Sequence, residues 1–126
     1  MPAAWPPLGS LIEPFLDKPY GKDDCWKLVC DLLHAGGFLA VPDDPMQAIE
    51  AVSEIWFCDD PRDPLTLVQP WDWWLMPRTG RLVGHIGLVV DEVKFIHVRL
   101  KGGVCLEPMQ RWRTRLIQLA RLRCLA

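Results

Sequence analysis

The stretch GHIGLVVDEVKFIHV, residues 84–98, decides the fold class. Two β-rich runs, 82–90 and 94–100, flank an acidic turn, the pattern of a β-hairpin. It also carries two of the three histidines, His85 and His97, one on each strand. Strand side chains alternate between faces, so the turn decides whether the two rings can meet. A two-residue turn pairing Val90 with Val93 sends them to opposite faces. Three loop residues centred on Asp91 put them directly across from one another, and three centred on Glu92 put them on one face diagonally.

Outward from the hairpin, Gly102-Gly103 supplies the next turn and 104–107 a further strand. Upstream, 71–76 reads as a short aromatic strand, and the prolines of 61–70 break any ladder. Asp24 to Ala35 reads as a helix with Asp24 as N-cap and Gly36-Gly37 as its stop. Its apolar residues, Cys25, Leu28, Val29, Leu32 and Leu33, form one stripe. Residues 45–57 suggest a second helix capped by Asp44, with Met46, Ile49, Val52 and Trp56 inward. Residues 1–23 read as an irregular lead-in. The C-terminal run RTRLIQLARLRCLA, 113–126, fits either a strand or a basic helix using Leu116, Leu119 and Leu122. Helices first and strands after, without βαβ alternation, imply an α+β domain with an antiparallel sheet.

The 126 residues, half of them hydrophobic and 24% charged, suit one globular domain and exclude a disordered chain. No apolar run is long enough for a transmembrane helix. The start, MPAAWPPLGS, lacks a basic n-region and an apolar h-region, so no secretory signal is expected and synthesis in a cytoplasm is. Five cysteines, an odd number, then imply reduced thiols rather than a disulfide framework. Residues 1–63 hold 4 Lys/Arg and 12 Asp/Glu, whereas 64–126 hold 10 and 4. Two halves of opposite charge attract each other within one domain. A basic tail with Trp71, Trp73 and Trp74 also suits single-stranded nucleic acid, but alternating Trp is more simply sheet core, and no nucleic-acid partner is expected. Cys30 and His34 share a helix face, yet nothing completes a usual zinc spacing, so no metal and no cofactor is expected.

Cys25 differs from the other thiols by position. It is the first residue of the helix, where partial positive charge and unpaired N–H donors favour a thiolate. A thiolate attacks acyl carbons, a nearby imidazole moves the proton, and a second polar group orients that imidazole. His85 and His97 suit those two roles. The Cys25 N–H and the Tyr20 hydroxyl, five residues upstream, are candidate oxyanion donors.

The order PYGKDDCWKLV, PWDWWLM, GHIGLVVDEVKFIHV and GGVCLEPMQRW, spanning roughly residues 11–123, resembles the NlpC family of cell-wall cysteine peptidases. It is most similar to the short versions encoded by tailed phages as tail-tip components. The family's Pro-Tyr before an Asp-Cys pair is matched by Pro19, Tyr20, Asp24 and Cys25. Its Gly-His-hydrophobic-Gly strand is matched by Gly84, His85, Ile86 and Gly87, its second histidine by His97, and its Gly-Asp strand start, weakly, by Trp71-Asp72. Trp26 fits the phage-type Asp-Cys-Trp-Gly, while Lys27 departs from it. The resemblance implies a single papain-like domain over 1–126, with 1–10 as lead-in and an acidic helical insertion at 38–69. It also implies a C-terminal strand and a Cys25-His85-His97 triad, with Tyr20, Asp24 and Trp26 beside the substrate. The implied reaction is cleavage of an amide in a peptidoglycan stem peptide, typically between D-glutamate and diaminopimelate, without metal or cofactor. Other phage tail proteins are the implied partners. A catalytically inactive tail-assembly or binding module of the same fold is the competing expectation.

Overall fold

The computed structural model describes residues 6–16, 18–38, 47–48, 51, 53–55, 63–78, 81–99, 101–116 and 118–122. The fold is α+β. Among the described residues its six strands are β1 (Ser53–Ile55), β2 (Trp73–Arg78), β3 (Arg81–Val89), β4 (Lys94–Val98), β5 (Val104–Pro108) and β6 (Gln118–Leu122). They form one antiparallel sheet in the order β1-β6-β2-β3-β4-β5. The helices with described bounds are α1 (Glu13–Leu16), α2 (Cys25–Ala35) and α3 (Met109–Trp112).

Helix α2 buries Cys25, Leu28, Val29, Leu32 and Leu33, the stripe read from the sequence. It stops in a Schellman arrangement. The Phe38 N–H donates to the Leu33 carbonyl and the Gly37 N–H to that of His34, with Gly37 at φ 97°. Asp24 holds the N-cap position but does not cap with its side chain. Its Oδ2 instead accepts the Gly21 N–H at 2.7 Å and closes the turn before the helix.

Alternation divides the sheet between two cores. Ile86, Leu88, Ile96, Val98, Trp73, Leu75, Ala120 and Leu122 pack with α2, α1 and the 3-10 turn Leu8–Ser10. Trp74, Met76, Val89, Phe95 and Leu119 form a second core with Met109 of α3, and Trp112 lies against it. The Trp74 and Phe95 rings stack at 4.9 Å, an arrangement that adds about 0.5–1.5 kcal/mol beyond burial.

Several expectations are corrected here. The lead-in is not irregular throughout, since 8–10 and 13–16 are helical. In 45–57, residues 47, 48 and 51 are helical but 53–55 pair as a strand with β6. Cross-strand bonds to Leu122, Arg121 and Ala120 end the helix there, overriding local propensity. The other positions of that expected helix, including Met46, Ile49, Val52 and Trp56, lie outside the described residues. The aromatic strand starts at Trp73, because Trp71 takes φ 76° and anchors a turn through Nε1 to the Pro6 carbonyl. In the C-terminal run Arg113–Arg115 form a 3-10 turn and Gln118–Leu122 a strand. Leu119 faces one core and Leu122 the other, which a helical stripe would not allow.

The hairpin uses three loop residues centred on Glu92. Leu88 pairs with Ile96, Val89 with Phe95, and the Val90 N–H donates to the Lys94 carbonyl. Asp91 Oδ1 closes the turn by accepting the Val93 and Lys94 N–H groups, each at 2.8 Å. This register sets Gly87 opposite His97. A Cβ on Gly87 would lie 2.7 Å from the Ile96 carbonyl oxygen and 3.1 Å from the His97 Cβ. Gly87→Ala should therefore destabilise the chain by about 1–3 kcal/mol, measured by urea unfolding. An unchanged midpoint would show that β3 and β4 can part at no cost.

Candidate functional site

His85 on β3 and His97 on β4 meet diagonally, as the Glu92-centred turn requires. His85 Nε2 lies 2.8 Å from His97 Nδ1, with the rings 5.1 Å apart and nearly perpendicular. Both are buried, at 7% and 3% exposure. The His97 ring is fixed on two further sides: it stacks on Phe95 at 4.8 Å and meets the edge of Trp112 at 5.3 Å. Burial pushes the His97 pKa below the usual histidine value, so the ring is neutral near pH 7.

The thiol at this pair belongs to Cys105. On β5 it pairs directly with His97, and its Sγ lies 3.5 Å from His97 Nε2. The Cys105 thiol also points at Glu107 Oε1, 3.7 Å away. Burial and the Glu107 carboxylate push the Cys105 pKa up, with the Arg99 guanidinium opposing them. Cys105 is therefore a thiol at neutral pH and a weak nucleophile. One tautomer connects the whole row. His85 Nε2–H donates to His97 Nδ1, His97 Nε2–H points at the Cys105 sulfur, and Cys105 S–H points at Glu107. In that tautomer Nδ1 is the basic nitrogen of His85.

Cys25 lies elsewhere in the fold. It is buried in the core between α2 and the sheet, at 7% exposure. By strand alternation His85 and His97 share the sheet side of Val89 and Phe95, not that of Ile86 and Ile96. Helix α2 nevertheless packs across β3 and β4, the two histidine strands. The Tyr20 hydroxyl donates to Asp31 Oδ2 at 2.5 Å. A phenol has one proton, so this bond takes the donor expected to serve an oxyanion. Burial and the Asp31 carboxylate also raise the Tyr20 pKa well above the usual range. Trp26 packs edge-on against Trp73 at 5.4 Å and is half-buried, a core-margin position. Of the residues expected to serve the substrate, Asp24 closes a turn, Tyr20 holds Asp31 and Trp26 packs on the core.

Cys105 and Glu107 were not singled out in the sequence. The signal was present in GGVCLE, residues 102–107. A Gly-Gly turn pairing Val98 with Val104 brings Cys105 opposite His97 and Glu107 onto the same face. Cys30 is half-buried on α2 and His34 is exposed at its end, while Cys58 and Cys124 lie outside the described residues. No helix among the described residues is long and apolar enough to cross a membrane. Comparison of the sequence with known protein families finds no match, and comparison with curated proteins finds none either.

Proposed function

We propose that this chain is a cysteine peptidase of the NlpC type, with a papain-like core, that hydrolyses an amide bond in peptidoglycan stem peptides. The observation that carries the reading is the buried bond between His85 Nε2 and His97 Nδ1 at 2.8 Å. A general base held through one ring nitrogen by a fixed second group is what acyl transfer requires. Cys25, at the start of the helix packed across both histidine strands, is the nucleophile in this reading. In this reading Cys25, which starts on the α2 side of the sheet, has to reach the histidine side, where its sulfur adds to the amide carbon and its proton passes to His85 Nδ1. His85 then protonates the leaving amine, and water releases the acyl group with His85 again as base. His97 holds the tautomer. The Cys25 N–H remains the available backbone donor for the oxyanion, since the Tyr20 hydroxyl binds Asp31. The substrate, a D-glutamyl–diaminopimelate bond, rests on the resemblance of the PYGKDDCW and GHIG segments, as does a place in a phage tail.

The test is direct. The full chain, incubated with purified disaccharide-tetrapeptide muropeptides, should release two fragments, separated at the D-glutamyl bond, in mass spectra. An intact substrate after prolonged incubation at high enzyme concentration would reject the reading. Iodoacetamide should label Cys25 faster than Cys105, whose thiol burial keeps protonated. Equal rates would remove the reason for choosing Cys25. One observation favours a second reading, an inactive tail component of the same fold: Cys25 is packed in the core and Tyr20 is engaged.

A further inference from the structure

The geometry points to a site for one zinc ion formed by His97, Cys105 and Glu107. Their ligand atoms all lie within 4.8 Å of one another. The Cys105 sulfur is 3.5 Å from His97 Nε2 and 3.7 Å from Glu107 Oε1. Zinc binds sulfur at about 2.3 Å and nitrogen or oxygen at about 2.0–2.2 Å, so tetrahedral ligand atoms stand about 3.5–3.6 Å apart. The His97 contact to the sulfur already has that spacing, and the Glu107 contact, at 3.7 Å, is slightly longer.

The donors also suit the ion. Thiolate, imidazole and carboxylate together are a borderline-soft set that favours zinc over magnesium or calcium. Three protein ligands leave a fourth position for water. The scaffold is rigid, because His97 and Cys105 are directly paired across β4 and β5, and Glu107 is two residues further along the same face. His97 is clamped by Phe95 and Trp112, and its Nδ1 is bonded to His85, the outer partner a ligating histidine needs. The site opens at the sheet edge. β5 is an edge strand, and the Glu107 side chain is 21% exposed and reaches Arg111 with its other oxygen at 3.7 Å. Among the described residues Arg99 beside Cys105 and Arg111 at Glu107 are adverse charges, and the two anionic ligands offset them. Binding takes the proton from the Cys105 thiol and releases it to solvent, while His97 Nε2 gives its lone pair to the ion. The remaining His97 proton is then on Nδ1, so zinc reverses the hydrogen bond to His85. This inference stands on the β4–β5 cluster alone and does not need the peptidase reading.

The full chain, reduced and stripped with EDTA, is titrated with cobalt chloride and then zinc chloride. One equivalent of cobalt should produce thiolate-to-cobalt absorption in the near ultraviolet, and zinc should abolish it. Cys105→Ser should lose the band, Glu107→Gln should weaken binding by at least about tenfold, and Cys25→Ala should keep the band. Near-ultraviolet circular dichroism checks that each variant is folded. If Cys105→Ser does not fold, the partly exposed Glu107→Gln decides. Absence of a band in the folded wild type, its survival in folded Cys105→Ser, or undiminished affinity in Glu107→Gln would overturn the site. Loss of peptidase activity in Cys25→Ala with the cobalt band intact would separate the two readings.

Discussion

Replacing Cys25 with alanine is expected to lower muropeptide hydrolysis by at least about a thousandfold, and His85→Ala by a similar factor. Removing either member of a nucleophile–base pair leaves only the acceleration from binding and oxyanion contacts. His97→Ala should cost about 10²–10⁴-fold, because His85 then loses the group that fixes its tautomer. Cys105→Ala is the decisive comparison. Within the histidine pair its sulfur touches the far nitrogen of His97, and beyond the pair it meets Glu107, so the variant should still turn over substrate. Hydrolysis that survives in Cys25→Ala and disappears in Cys105→Ala would transfer the nucleophile to β5 and overturn the assignment. The seven Trp give a strong near-ultraviolet signal for verifying that each variant is folded.

How far the site could be read from sequence depends on which residues are local. The α2 stripe follows from spacing within one helix, and all five of its predicted inward residues are buried. The meeting of His85 and His97 was readable as a choice among registers, and Asp91 makes the choice. Its carboxylate accepts two turn N–H groups, which fixes a three-residue loop centred on Glu92. Sheet order was not readable. β6 sits between β1 and β2, and that contact joins residues 53–55 to 120–122, which no local pattern encodes. For the same reason a helical pattern across 45–57 gave way to a strand at 53–55. The Tyr20 hydroxyl is near Cys25 along the chain, but the fold turns it to α2. Asp31, on the second turn of α2, reaches it first. Cys105 does not stand out among the five thiols in the sequence because its meaning depends on the strand opposite.

The ion pair of Asp72 and Arg121 carries the largest stability effect expected outside the site. Asp72 is fully buried at the turn before β2 and holds Arg121 of β6 by two bonds, Oδ1 to Nε at 2.7 Å and Oδ2 to Nη2 at 2.8 Å. Oδ2 also accepts the Gln69 N–H at 2.9 Å, and Arg121 reaches the Leu67 carbonyl at 3.3 Å. The pair thus ties the 67–72 turn to the strand on which β1 also rests. Burial pushes the Asp72 carboxyl up, and the bonds from Arg121 and Gln69 oppose that. Arg121→Met removes the larger of the two opposing groups and leaves a carboxylate buried without its cation, which costs about 3–5 kcal/mol. The pH dependence follows from the sign of the shift. With its folded pKa raised above the unfolded value of 3.8, the native state holds the proton more tightly than the unfolded chain. Stability of the variant should then fall as pH rises from about 4 and recover on acidification, opposite to ordinary acid denaturation. Urea unfolding across that range measures it. Asp72→Leu combined with Arg121→Met should regain most of the loss, since no charge is left in the core. A single variant as stable as the wild type at pH 7, or a double variant no better than Arg121→Met, would show that the pair does not hold the turn to β6.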